Sequence, residues 1–286
     1  MRIAVVGARG QLGAALVHEL AAGHDTVAFG HAELDISDAA AVAAAMARVG
    51  PDVILNAAAF TNVDAAEDHP IEALNSNAFG VRALARAARV HGAALVHYST
   101  DFVFDGRATT PYVETDRPNP QSVYASSKLL GEWFARDAPR AYVLRVEGIF
   151  GRTPGAGPAK GSAAAILNAL TTGAEAKVFE DRVITPSHVS DVARATRRLI
   201  ETQAQPGLYH CVNSGATTWY AFAAEMARIL GVEPRLTPIR MADMHLRARR
   251  PVYCALSNEK LRSIGIEMPS WQDALARSLS APRADG

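Results

Sequence analysis

A chain of 286 residues, 49% apolar and 20% charged, can bury a sizeable core, as one large domain or as a nucleotide-binding domain with a smaller companion. Its 29 Lys and Arg balance 29 Asp and Glu, and the pI is near 7.1, so charge argues for neither nucleic acid nor an anionic membrane as partner. Cys211 and Cys254 lie far apart without ligand spacing, which predicts free, buried thiols rather than a disulfide or a metal site. Met1 leads straight into an apolar run, and no run is long enough to span a bilayer, so a soluble cytoplasmic protein is expected.

In chain order, Ile3 to Val6 reads as a strand that ends at Gly7. Gly7, Gly10 and Gly13 follow in G-x-x-G-x-x-G spacing, and then Leu12, Leu16 and Leu20 recur at helical intervals. Strand, glycine turn and helix together suit a dinucleotide, because the glycines let the backbone approach a pyrophosphate at a helix start. A plain packing turn is the competing explanation. The second strand, Thr26 to Phe29, runs into Gly30 and His31 where NAD enzymes usually carry an acid; Glu33 comes late. This leans towards NADP(H), with Arg9 and His31 as candidates for its 2′-phosphate.

Asp35 is a candidate for the adenine edge or for local turn chemistry, and Ser37 or Asp38 is expected to cap the helix to Val49. The third strand, Val53 to Asn56, opens into the small residues Ala57 to Ala59, which permit close approach by a flat ligand. One long helix is predicted from Pro70 to His91, with Asn77 an unfavoured interior residue held for hydrogen bonding. The fourth strand ends at Ser99, Thr100 and Asp101, in the ligand crevice of a parallel sheet.

Tyr124 and Lys128, four residues apart, project from one helical face. An ammonium beside a tyrosine lowers its pKa towards the range useful for proton transfer. After the fifth strand, Tyr142 to Val146, a Gly- and Pro-rich stretch at 151–161 is read as a substrate loop. Helices are predicted at 162–172, 190–201, 218–230, 257–264 and 270–280, a strand at 207–212, and a frayed tail from Ala281. The basic segment 246–253 makes Arg250 a candidate for a diphosphate, against a solvated basic loop.

The alternation predicts an α/β, Rossmann-type, doubly wound parallel sheet over 1–150. Residues 183–204 are expected to return to that domain, and 151–182 with 205–286 to form a smaller, mostly helical substrate part.

These motifs together resemble the dTDP-4-dehydrorhamnose reductase family of the extended short-chain dehydrogenase/reductase superfamily. The resemblance rests on Gly7-x-x-Gly10-Gln-Leu-Gly13, Asn56 to Thr61, Tyr98 to Gly106 with its Ser-Thr-Asp-x-Val-Phe-Asp-Gly string, Tyr124-x-x-x-Lys128, and Arg250-Pro251. It implies NADPH, with NADH as the alternative, and reduction of the C4 ketone of a nucleotide-linked 4-keto-6-deoxyhexose. In that reading Tyr124 donates the proton, Lys128 tunes it and binds ribose, and Thr100 (or Ser99) holds the carbonyl. Cofactor contacts carry over to Gly10, Gln11, Leu12, Asp35, Ile36, Ala59, Phe60 and Thr61, beside Gly7, Gly13 and Ala57. Asp101 and Gly148 fall at substrate positions. Glu147-Gly148 departs from the tryptophan frequent in the family, and Ala15 stands where some members carry an acid for a magnesium-linked dimer, so no metal is expected; a homodimer stays open. An epimerase or dehydratase of the superfamily, or a non-catalytic subunit like the methionine adenosyltransferase regulatory protein, is the alternative.

Overall fold

The computed structural model describes residues 1–280; the predicted frayed tail lies outside them. The elements begin β1 (Arg2–Val6), α1 (Gln11–Leu20), β2 (Asp25–Phe29), α2 (Ala39–Val49) and β3 (Val53–Asn56). Two short helices, α3 (Ala65–Asp68) and α4 (Pro70–Leu74), lead through a π-helical turn at Asn75–Phe79 into α5 (Gly80–His91). Next come β4 (Ala94–Thr100), α6 (Val123–Ala135) and β5 (Arg140–Val146). The remainder runs α7 (Ser162–Thr172), β6 (Ala176–Phe179), β7 (Val183–Ile184), α8 (Val189–Glu201), β8 (Gly207–His210), β9 (Thr217–Thr218), α9 (Trp219–Leu230), β10 (Leu236–Ile239), α10 (Glu259–Ser263) and α11 (Trp271–Ser280).

Six strands pair in parallel in the order β2-β1-β3-β4-β5-β8. Strand alternation divides the side chains between two cores. Ile3, Val5 and Val96 face α1 and α8, whereas Ala4, Val6, Ile54 and Leu95 face α2 and α5. All seven residues of β4 are buried, as expected of a central parallel strand covered on both faces. The chain reverses direction across the sheet between β1 and β3, so a crevice opens there at the carboxyl ends of the strands.

A third core joins α7, α9 and α11 through Phe150, Ile166, Phe222, Met226 and Trp271. This part is less purely helical than predicted. β6 pairs with β10 in parallel, and β7 with β9 in antiparallel fashion. These strands are two to four residues long, too short for alternation to be visible in sequence. β8 adds the sixth strand of the main sheet, although the sequence reading assigned 205–286 to the substrate part.

The predicted helix from Pro70 to His91 is interrupted. Its middle widens into the π turn at Asn75–Phe79. Asp38, not Ser37, caps α2, accepting from Ala40 N and Ala41 N at 2.9 and 3.0 Å.

Candidate active site

The glycine turn after β1 is shaped by close approach. Gly7 has φ +78°, and a Cβ there would lie 2.5 Å from Ala58 N. A Cβ on Gly13 would lie 2.1 Å from Gly7 O, so the helix packs against the turn itself. The packing explanation and the ligand explanation are therefore both served. No side chain caps α1, which leaves its first N–H groups directed at the crevice. The Leu12 side chain belongs to the core, so only its backbone faces a ligand. The Gln11 amide donates to Gly151 O at 2.7 Å, and Gly157 N donates to Arg9 O at 3.0 Å, so the 151–161 stretch packs over the start of α1.

Ala57, Ala59 and Phe60 follow β3 at the same edge and are half-buried; Thr61 is exposed. Asn77 fixes the Phe60 peptide from both sides: its Oδ1 accepts from Phe60 N at 2.8 Å and its Nδ2 donates to Phe60 O at 3.0 Å. Nδ2 also donates to Ser127 Oγ of α6 at 3.0 Å. The π turn thus links the segment after β3 to the helix that carries Tyr124.

Tyr124 lies in the first turn of α6, whose start is capped by Ser122 Oγ accepting from Ala125 N at 3.2 Å. Burial pushes its phenol up to about 12; a hydrogen bond with the Thr100 hydroxyl opposes this and the Asp101 carboxylate adds to it. The predicted lowering by Lys128 is not what this geometry produces. The Lys128 ammonium donates to Tyr98 O at 2.6 Å, and burial pushes its own pKa down to about 8 against the pull of Glu132. Desolvation of the phenol outweighs any distant cation.

Thr100 ends β4 and its Oγ1 donates to Asp101 Oδ1 at 3.0 Å. Ser99, the alternative carbonyl partner, points to the other face, where its hydroxyl donates to Glu132 Oε1 at 2.6 Å. It is consumed by a buried ion pair in which Arg145 Nε and Nη2 each donate to Glu132 at 2.8 Å. Thr100 remains as the hydroxyl beside Tyr124.

A sequence model described as "RmlD substrate binding domain" matches residues 1–283. The chain belongs to the dTDP-4-dehydrorhamnose reductase family. A Sinorhizobium fredii dTDP-4-dehydrorhamnose reductase is 33% identical over 100% of this chain and 99% of its own. One from Mycobacterium tuberculosis is 36% identical over 98% and 93%. The crystal structure of dTDP-4-dehydrorhamnose reductase from Bacillus anthracis in complex with NADP superposes with a TM-score of 0.91 at 30% identity, covering 97% of this chain and 98% of that one. Membership places the chain among NAD(P)H-dependent oxidoreductases of the short-chain dehydrogenase/reductase type.

Some family positions are engaged otherwise here. Asp35 Oδ1 accepts from Ser37 N at 2.9 Å and Ser37 Oγ at 2.8 Å, and these bonds lower its pKa against the cost of burial. The local-turn explanation holds for that oxygen. The Ile36 side chain lies in the core, where Gly80 makes room for it. Arg9 is paired with Glu33 at 2.6 Å, both exposed, beside Gly30. Arg250 does not stand free for a diphosphate: its Nη2 donates to Asp64 Oδ2 at 2.6 Å, and neighbouring Arg247 pairs with Asp68. Acids around α3, distant in sequence, have crossed to pair with two of the segment's three arginines.

Gly148 has φ +50°, and a Cβ there would come within 3.5 Å of the Trp219 ring. An aromatic from α9 thus packs at the place where the sequence lacks one. Sequence reasoning missed that Arg182, Thr185 and Cys254 gather around Asp101 and Glu147. The guanidinium of Arg182 lies 5.1 Å over the Phe102 ring, which meets Tyr124 edge-on at 5.6 Å. No periodicity or motif marks these residues. Both cysteines are free and buried, as predicted. A cavity of about 360 Å³ borders Thr185, Leu256 and Asn258.

Proposed function

We propose that this chain uses NADPH to reduce the C4 ketone of a nucleotide-linked 4-keto-6-deoxyhexose, with Tyr124 as proton donor. The observation that carries the reading is the meeting of Tyr124 and Thr100 at the carboxyl edge of the sheet. The uncapped start of α1 lies at that same edge. The close-packed glycine turn and the small residues Ala57 to Ala59 fit a dinucleotide, and the related B. anthracis enzyme was solved with NADP. Bound there, the cofactor supplies a hydride to the carbonyl carbon.

The protein supplies the rest. The Thr100 hydroxyl donates to the ketone oxygen, and Tyr124 gives its proton as negative charge grows there. Burial keeps Tyr124 protonated at neutral pH, the state a donor requires. Lys128, fixed on Tyr98 O, orients the nicotinamide ribose. Residues 151–182 and those after β8 form the substrate-binding part.

An NADPH-oxidation assay with a panel of nucleotide-linked 4-keto sugars tests this. Turnover of at least one sugar is expected, and Tyr124→Phe should reduce kcat by roughly 10²–10⁴-fold, with NADPH affinity little changed. Full activity in that variant overturns the mechanism. Tightly retained cofactor without net NADPH consumption would point instead to an epimerase or dehydratase, and no turnover of any kind to a regulatory protein.

A further inference from the structure

Behind Thr100 lies a buried charged group that the reaction as described does not use. Asp101, Glu147 and Arg182 are 3%, 2% and 8% exposed. A carboxylate oxygen of Asp101, one of Glu147 and the Cys254 sulfur all lie within 4.8 Å of one another. Glu147 Oε2 accepts from Thr185 N and Thr185 Oγ1, both at 2.7 Å. Its Oε1 has no hydrogen-bond partner, and neither has Asp101 Oδ2. Arg182 Nη2 approaches Asp101 Oδ2 at 3.8 Å and the Cys254 sulfur at 3.6 Å.

Charge balance decides what this group contains. Two carboxylates against one guanidinium leave a surplus negative charge in a buried site, which is costly. Like-charged carboxylates at this separation resist ionising together. Arg182 already holds the place a cation would take, and Cys254 is kept as a neutral thiol by burial. One proton between Asp101 and Glu147 neutralises the cluster and gives an orphaned oxygen a donor. The other groups that face it are Tyr124 on α6 and Tyr253 in the carboxyl-terminal segment, both neutral phenols at pH 7.

We propose that Asp101 and Glu147 share one proton at neutral pH and form the store from which Tyr124 is reprotonated through the Thr100 hydroxyl. This rests on Tyr124 acting as the donor. After Tyr124 gives its proton to the substrate, the O–H bond of Thr100 breaks towards the phenolate. Rotation of the protonated Asp101 carboxyl then delivers the shared proton to Thr100 Oγ1, which lies 3.0 Å from the present position of Oδ1. The carboxylate pair is left with one more negative charge, facing Arg182, until a proton returns from solvent. No electron moves in these steps. Glu147 is a relay residue, acting through Asp101 and Thr100 rather than on substrate.

Infrared difference titration of the full-length protein without substrate tests the shared proton independently of the reaction. The wild type should show a protonated-carboxyl band at pH 7 that disappears as pH rises through about 8, where burial and Asp101 place the Glu147 carboxyl. Glu147→Gln should lack it. Absence of the band from the wild type overturns the proposal even if the variant fails to fold, as does its persistence in the variant; a metal ion bound between the carboxylates would also remove it. With any sugar that the wild type reduces, Glu147→Gln should lower kcat at least tenfold at unchanged KM for NADPH. It should also abolish the fall in kcat across that alkaline range. An unchanged pH profile overturns the relay, while loss of turnover in the wild type as well would indict the reductase reading instead.

Discussion

Tyr124 shows how a side chain's chemistry depends on neighbours far away in sequence. The four-residue spacing to Lys128 is real, and both residues project from α6, but the ammonium is spent on Tyr98 O. What acts on the phenol is burial, Thr100 and Asp101. Arg9 is a similar case. The missing acid after β2 makes it a candidate for a 2′-phosphate, and the structure finds it held by Glu33 at 2.6 Å. Both side chains are exposed, so the pair is screened and worth little; a bound phosphate can draw the arginine away. Arg9→Ala should therefore raise KM for NADPH several-fold with little effect on NADH. Equal effects on the two cofactors would show that Arg9 does not read the phosphate. Asp35 and Arg250 were visible as polar residues, but their partners Ser37 and Asp64 decide what they do.

At the scale of elements, the π turn at Asn75–Phe79 positions the site. A π turn widens a helix and re-aims its side chains, and here it directs Asn77 to both the Phe60 peptide and Ser127. Gly131 of α6 is the other half of this contact, because a Cβ there would lie 2.2 Å from Asn77 O. In a free helix Gly→Ala gains about 1 kcal/mol. Here the backbone clash wins, since overpacking costs roughly 1–3 kcal/mol and the atom met cannot rotate away. Gly131→Ala should lower stability in urea denaturation and reduce kcat by displacing Tyr124; a more stable, fully active variant would mean that the two elements are free to separate. Asn77 was legible as an unfavoured helix residue. The π turn was not, because the apolar spacing on either side of it is that of a continuous helix.

Across the whole molecule, a buried polar chain ties the sheet together: Ser99 on β4, Glu132 on α6, Arg145 on β5 and His210 on β8. Arg145 lies 4.9 Å over the Phe104 ring. His210 Nδ1 lies 3.1 Å from Tyr112 O, which assigns its proton to that nitrogen and leaves Nε2 to accept from Arg145 Nη1 at 3.4 Å. Burial first and Arg145 second push the His210 pKa down to about 3, from an ordinary value of 6.5. The unfolded chain then binds the proton more readily than the fold does, so the stability this histidine contributes is complete above pH 6.5 and is lost as pH falls towards 3. Urea denaturation at pH 7, 5.5 and 4.5 should show that loss, to which His97 and His188, also lowered by burial, add, and His210→Gln should reduce it in part; an unchanged slope would assign the loss to those other groups. By itself the sequence determined the first five strands of the sheet, the glycine turn, the Tyr124 helix and the family. Apolar period, glycine placement and a specific motif string are local properties of the chain. Only the tertiary structure decided that Ser99 is turned to Glu132 and Thr100 to Asp101 and Tyr124, that Arg250 pairs with Asp64, and that Asp101, Glu147, Arg182 and Cys254 share one buried site. Those facts depend on which charges meet at long range and how much water is excluded, and neither quantity is written in residue spacing.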